Sequence, residues 1–453
     1  MSIFSRIARA GIPAFTLLPV ALYAGVWVHT DLTALTGAPP PPPAVYPDEL
    51  FSYVFKGQNT QHINYLGSDD HVYELWCDNN SGWHYGDLTA ATDAPSAGRY
   101  YARGYMFEAQ GTQHVNYWGW DRHIYELWWD GSWHYNDLTS ATGAPLAATE
   151  PRGYMFDSQG TQHVNYLGLN NHIYELWWDV DSGWHYNDLT AAASAPTSNG
   201  EPFGYVSADQ KTQHVVYRSA YGSIHDLWWD GGWHDADLTY LAGAPAAQSD
   251  PYAYVFAAQG TQHVNYEGFD LHIHELWWDG TWHHNDLTAA TGAPDSTSWP
   301  FSTGAPFGYA TSDGTQHVNY VASNGHVSEL WWNTEGWHYY DLTADTGAPL
   351  AASFARGYWF DSQNAQHVNY IGVDGHVHDL ANAPDLLTTV PGVTGSYLST
   401  ASAAITNAGL TWTYMDTAPK TRNPLVVDQY PEGGAIVAKG TVVKLRFATI
   451  NTR

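Results

Sequence analysis

Residues 25–33 read GVWVHTDLT, and closely similar phrases stand further on as GSWHYNDLT at 131–139 and GTWHHNDLT at 280–288. Each later copy closes a longer unit that opens with QHVNY, but no such opening precedes Gly25. The Gln-His-x-x-Tyr opening recurs at Gln61, Gln113, Gln162, Gln213, Gln262, Gln316 and Gln366. The Asp-Leu-Thr ending recurs at Asp31, Asp87, Asp137, Asp188, Asp237, Asp286 and Asp341. Seven openings thus meet seven endings, displaced by one.

One unit shows the internal plan: GYMF at 153–156, QHVNYLG at 162–168, HIYELWWD at 172–179 and GWHYNDLT at 183–190. Each phrase is short, rich in aromatic and β-branched residues, and bounded by Gly, Asn, Asp and Ser, which is the pattern of strands joined by turns. Four strands in a repeat of roughly 50 residues predict the blade of a β-propeller. The last unit has GYWF (357–360), QHVNYIG (366–372) and HVHDL (376–380) but no fourth phrase. The strand at 25–33 supplies it, because pairing the two chain ends within one blade removes the open edge that a ring of sheets would otherwise keep. The expected fold is all-β: a seven-bladed propeller over 25–380, its last blade completed by the N-terminal strand 25–33.

Composition narrows the partners. The 453 residues carry a net charge of −29 with only 16 Lys and Arg, which repels nucleic acid and anionic lipid surfaces. The 23 Trp and 32 Tyr favour ligands that lie on rings and accept or donate hydrogen bonds. Cys77 is the single cysteine and stands where other units have Trp, so it reads as a packing substitution. Residues 1–24 place Arg6 and Arg9 before an uncharged stretch, the order of a secretory signal; the alternative is an apolar segment that packs on the protein. With it goes an extracellular or cell-surface location.

A carboxylate recurs in the third strand of every unit, at Glu74, Glu126, Glu175, Asp226, Glu275, Glu329 and Asp379, beside the recurrent His of the second. Both faces of a blade pack against neighbours, so such a carboxylate must be paired or must line a cleft. In a structural reading each His bonds a carboxylate and locks the blade. In a functional reading carboxylate, His and Trp line a cleft between blades, where a sugar lays its C–H face on an indole and gives its hydroxyls to the polar groups. The candidate carbohydrate-binding residues are His114, Glu126 and Trp129; His163, Glu175 and Trp178; and His263, Glu275 and Trp278. The fourth blade ranks lower because Asp226 shortens the acid. Repetition of one pattern argues against an enzyme, since glycoside hydrolysis needs two carboxylates in unlike settings. HIHE (272–275) and HVHD (376–379) are weak metal signals, and no cofactor or metal site is expected.

The strand phrases QHVNY, YELWWD and GWH resemble, in that order, the blades of the propeller lectins: fungal fucose-specific lectins, and seven-bladed bacterial ones, which match in blade count. This resemblance implies multivalent, non-catalytic glycan binding. In the fungal family an Arg of the second strand and a Glu of the third hold the sugar; here His stands in place of that Arg, so a fucose preference does not carry over.

After a linker at 381–388 the Trp- and His-rich pattern ends. Residues 389–453 contain VPGVTG, then STASAAITNAGL, then QYPEGGAIVAKGTVVKL, and resemble a PASTA domain, a small α+β unit with a helix at 399–408. That resemblance implies surface exposure and either peptidoglycan binding or a spacer role. The alternative to a lectin is a structural or assembly subunit, a homo-oligomer in which the N-terminal strand closes a neighbour's blade.

Overall fold

The computed structural model describes residues 26–42, 50–78, 82–207, 209, 211–297, 305–382, 387–416, 418–419, 421–438 and 441–448. The N-terminal segment 1–24, Gly25 and much of the linker lie outside the described residues. The repeats form successive four-stranded antiparallel sheets, the building unit of a β-propeller. In the third sheet the strands Arg152–Phe156, Thr161–Leu167, Ile173–Asp179 and Gly183–Asp188 pair in chain order. Every residue of Thr161–Leu167 is buried, since both faces of an inner strand are covered by neighbouring sheets.

The strand Trp27–Asp31 pairs with Val377–Asn382, with Trp27 opposite Asn382 and Asp31 opposite His378. Local chemistry there repeats that of the other sheets. Asp188 ends its strand in an extended conformation (φ −93°, ψ 96°) and its carboxylate accepts the Ala191 N–H, capping a one-turn helix, Leu189–Ala193. His172 Nδ1 lies 2.8 Å from the same carboxylate, and the Thr190 hydroxyl accepts the Ile173 N–H at 2.8 Å. Asp31 does likewise: it caps Leu32–Thr36, meets His376 Nδ1 at 2.8 Å, and Thr33 accepts the Val377 N–H at 2.9 Å. The Asp-Leu-Thr phrase is therefore not simply a strand end. Its Asp closes the strand and its Leu and Thr begin a helix, because the short acidic side chain satisfies an amide that the strand cannot.

Neighbouring sheets are joined by recurrent contacts. Tyr166 of the third sheet donates to the Pro145 carbonyl in the loop leaving the second, at 2.8 Å. Gly204 opens the approach of the fourth sheet to the third: a Cβ there would stand 2.1 Å from the Tyr154 ring and 2.5 Å from Asn165 Oδ1. The innermost strands of successive sheets lie side by side, and Arg356–Phe360 of the last lies against Phe51–Phe55 of the first. Across that junction the Tyr358 hydroxyl donates to Gln61 Oε1 at 2.6 Å and the Ser52 hydroxyl to Asn369 Oδ1 at 2.8 Å. Cys77 is buried opposite Gln61, and burial pushes its thiol up to about 12.

In the tail the helix runs Leu398–Asn407, one residue earlier than its sequence pattern predicts. Tyr397 precedes it with no side-chain cap, and Asn423 Oδ1 accepts the Ser399 N–H instead. Ala401 and Ile405 pack on Val390, Val393, Val426, Val443 and Leu445, the core of a three-stranded sheet in which Val442–Phe447 pairs parallel with Thr411–Tyr414. Among the described residues no helix is long and apolar enough to cross a membrane.

Candidate functional site

In every sheet the recurrent His lies 2.8–3.1 Å, through Nδ1, from the carboxylate of the next strand. The registers explain it: His163 pairs with Trp177 and Asn165 with Glu175, so the imidazole and the carboxylate reach each other diagonally on one face. The second imidazole nitrogen is engaged as well, as where Thr161 Oγ1 lies 2.8 Å from His163 Nε2. His114, His163 and His263 are 4–5% exposed, and Glu126, Glu175 and Glu275 1–3%. These residues consume much of their hydrogen-bonding capacity in each other, which locks the blade. Their neighbours add to this: Gln213 of the fourth sheet donates to Glu175 at 3.0 Å, and Asn285 donates to Glu275 at 2.9 Å.

Clefts do open between sheets, with a different membership from that expected. Between the third and fourth sheets a cavity of about 240 Å³ is lined by His163, Glu175, Trp177 and Asn187 on one side and Gln213, Trp229 and Trp233 on the other. The first Trp of the pair therefore shares a cleft with its own His and carboxylate, and the second faces the preceding sheet. Trp178, grouped from sequence with His163 and Glu175, instead packs edge-on against Phe107 of the second sheet at 6.1 Å. Trp278, grouped with His263 and Glu275, lines the cleft of His214 and Asp226. Trp129 stands opposite Gln113, whose amide donates to Glu74 of the first sheet at 2.7 Å. Strand alternation sends adjacent Trp residues to opposite faces, so one sheet serves two clefts.

The larger cleft, about 520 Å³, lies between the fourth and fifth sheets and is lined by His214, Asp226, Trp228, Ala236, Trp278 and Trp282, among others. Two shorter side chains, Asp226 and Ala236, line it, and the strand beside them differs from the other units at a third position. Asp226 replaces Glu, Val216 stands where other units have Asn, and Ala236 stands at the place of Asn136, which in the second sheet donates to Glu126 at 3.0 Å. Asp226 Oδ2 keeps its His214 at 2.8 Å, but Oδ1 is buried with no hydrogen-bond partner. Gln262, which could have reached a longer acid, instead accepts the Tyr205 hydroxyl at 2.8 Å. Burial, then the Asp226 carboxylate, pushes that phenol well above its usual range, so it stays a donor. The sequence sets the fourth unit below the second, third and fifth on acid length; in the structure the shorter acid makes room. The joint change at Val216, Asp226 and Ala236 was the available signal.

The two His-rich phrases build matching clusters. His274 lies 3.1 Å from Asp270 and 3.0 Å from His284; His378 lies 2.9 Å from Asp374 and 2.9 Å from His29. Asp270, His274 and Asp286, and likewise Asp31, Asp374 and His378, offer ligand atoms within 4.8 Å of one another and are, among the described residues, the groups spaced to hold a cation. Each buried imidazole already has partners on both nitrogens.

Comparison with known proteins agrees with this architecture. Residues 388–449 match the model of the PASTA domain. The chain is similar in structure to the BP39L lectin from Burkholderia pseudomallei, with 13% identity and a TM-score of 0.58 over 74% of this chain and 96% of that one. Weaker likenesses are AofleA from Arthrobotrys oligospora (14% identity, TM-score 0.43, 70% and 89% coverage) and the fucose-specific lectin from Aleuria aurantia (14%, 0.44, 64% and 93%). Identities this low speak to fold alone. The fold is that of a propeller lectin followed by a PASTA domain. No curated protein matches the sequence.

Proposed function

We propose that this protein is a non-catalytic, multivalent glycan-binding propeller whose seven sheets form a ring closed by the strand Trp27–Asp31. The observation that carries the reading is the cleft around Asp226. It offers a buried carboxylate oxygen in want of a donor, surrounded by Trp228, Trp278 and Trp282. Hydroxyl donors on a small ring with an apolar face suit both features, and a neutral ligand avoids the charge of −29. The lectin named for Burkholderia pseudomallei, similar in fold, lends support.

The cleft of His163 and Glu175 is a second, smaller site of the same kind, with Trp177, Trp229 and Trp233 as its rings. Several weak sites on one ring raise avidity for a dense glycan surface. Such targets lie outside the cell or at its surface, and the PASTA domain serves there as a wall-binding module or a spacer. In the second reading, favoured by the separateness of the strand that pairs with Val377–Asn382, the strand closes a neighbour's sheet and the protein assembles.

Glycan-array binding by the full chain tests the proposal, with Asp226→Asn and Trp278→Ala compared at matched folding. Loss of binding with an unchanged melting temperature supports it. An array that stays blank with folded protein defeats the glycan reading and leaves assembly, read by mass in dilute solution.

A further inference from the structure

Opposite the fourth residue of the QHVNY phrase, on the innermost strand, three sheets carry arginine: Arg103 faces Asn116, Arg152 faces Asn165 and Arg356 faces Asn369. The remaining sheets carry Phe or Tyr there. The three side chains converge where the innermost strands meet and are 1–5% exposed, although the chain holds only 16 Lys and Arg in all. Burying a guanidinium demands compensation by anions.

One carboxylate serves two of these cations. Glu201 Oε2 accepts Arg103 Nη2 at 2.9 Å and Arg152 Nη2 at 2.7 Å. Burial opposes ionisation of Glu201, but these two cations prevail and hold it at about 2. Burial, reinforced by Glu201, pushes the neighbouring Glu150 well above the ordinary carboxylate range, favouring its neutral acid. Asp250 is turned to Arg218, 3.3 Å away. Arg152 and Arg356 both donate to the Tyr252 hydroxyl, at 2.8 and 2.6 Å, and both lie over its ring at 4.3 Å. Those contacts position charge without cancelling it. Arg152 Nη1 is buried with no hydrogen-bond partner.

Beside this cluster lies a cavity of about 280 Å³, lined by Arg103 and Arg152 together with Phe51, Val54, Met106 and Phe203. We propose that it is a binding site for a small oxyanion, a phosphate or a carboxylate group, taken by Arg152 and Arg103 while the apolar wall holds what the group is attached to. Guanidinium forks match two oxygens of such a group. The site is separate from the clefts between sheets and does not depend on glycan binding.

The test is a thermal-shift titration of the full chain with inorganic phosphate and with malonate, each against sodium chloride of equal ionic strength. A saturating probe is expected to raise the melting temperature by roughly 4 °C. A rise with phosphate alone assigns a phosphoryl group, and with malonate alone a carboxylate. Arg152→Leu should abolish the rise; because that change can impair folding, Met106→Trp, which fills the cavity and leaves every guanidinium in place, should abolish it too. No rise beyond chloride with either probe, or a rise undiminished in the folded Met106→Trp protein, overturns the proposal.

Discussion

Asp226 Oδ2 lies 2.8 Å from His214 Nδ1, the same pairing that joins Glu175 to His163, but the shorter side chain leaves its second oxygen buried without a partner. The cleft beside this shorter acid, about 520 Å³, is roughly twice the one beside Glu175, about 240 Å³.

Restoring the pattern of the second sheet should close that cleft. Asp226→Glu with Ala236→Asn supplies a longer acid and the amide that Asn136 gives Glu126. Satisfying the buried oxygen is expected to stabilise the fold by about 1–3 kcal/mol. Denaturant midpoints and calorimetric sugar titration check it: stability rises while binding at this cleft falls.

Gly204 lies too close to the third sheet for any side chain. A Cβ 2.1 Å from the Tyr154 ring forces movement of a buried Tyr against Asn165, so Gly204→Ala should cost about 1–3 kcal/mol. The first sheet carries Ser52 at this place, where its hydroxyl bonds Asn369 at 2.8 Å, so the penalty belongs to the local neighbour. A lower denaturant midpoint with an unchanged slope is the expected result.

Glu267 is fully buried, and burial pushes its carboxyl up to about 7. Gln248 donates to one oxygen at 3.0 Å while the other has no partner. A carboxyl raised on folding favours the native state most below its unfolded value of 4.5, and this contribution is lost as pH rises through about 7. Glu267→Leu, the residue that the third sheet carries at Leu167, should therefore gain melting temperature over the wild type at pH 8 and less at pH 4.5.

His29 and His378 meet at 2.9 Å across the pairing of the N-terminal strand with the last sheet. Burial, then the His378 charge, lowers the His29 pKa, despite the carboxylates Asp31, Asp379 and Asp374. A histidine lowered on folding contributes fully above its unfolded value of about 6.5, and stability falls as pH drops below it because the unfolded chain takes up the proton first. His29→Gln should flatten the acid limb of the melting curve between pH 7 and pH 5.

Asp31 and Asp188 perform the same cap in the seventh and third sheets, Asp31 from a strand more than 300 residues away in sequence from its partner. Replacement of either by Ala should cost about 1 kcal/mol. If Asp31→Ala leaves the thermal transition unmoved while Asp188→Ala lowers it, the N-terminal strand is not held in solution.

Much of the architecture was legible in the chain. Period, strand phrases and the displaced count of Gln-His openings and Asp-Leu-Thr endings are local patterns, governed by side-chain alternation and turn residues, and they led to the pairing of Trp27–Asp31 with Val377–Asn382. The tail was equally readable, because the helix and its flanking strands carry their own apolar spacing. The one-turn helix after each Asp was missed, since five residues show no helical period and only the capped amide reveals it.

The candidate site was legible in kind but not in membership. Sequence by itself determined that His, carboxylate and Trp recur on adjacent strands. Which Trp meets which His depends on the face each residue presents to the next sheet, so Trp178 and Trp278 belong to the clefts of preceding sheets. The tertiary structure alone decided that the fourth cleft is the roomy one and that Arg103, Arg152 and Arg356, far apart in sequence, share one buried place around Tyr252. Cavity volume and buried charge are sums over neighbours, and no single strand contains them.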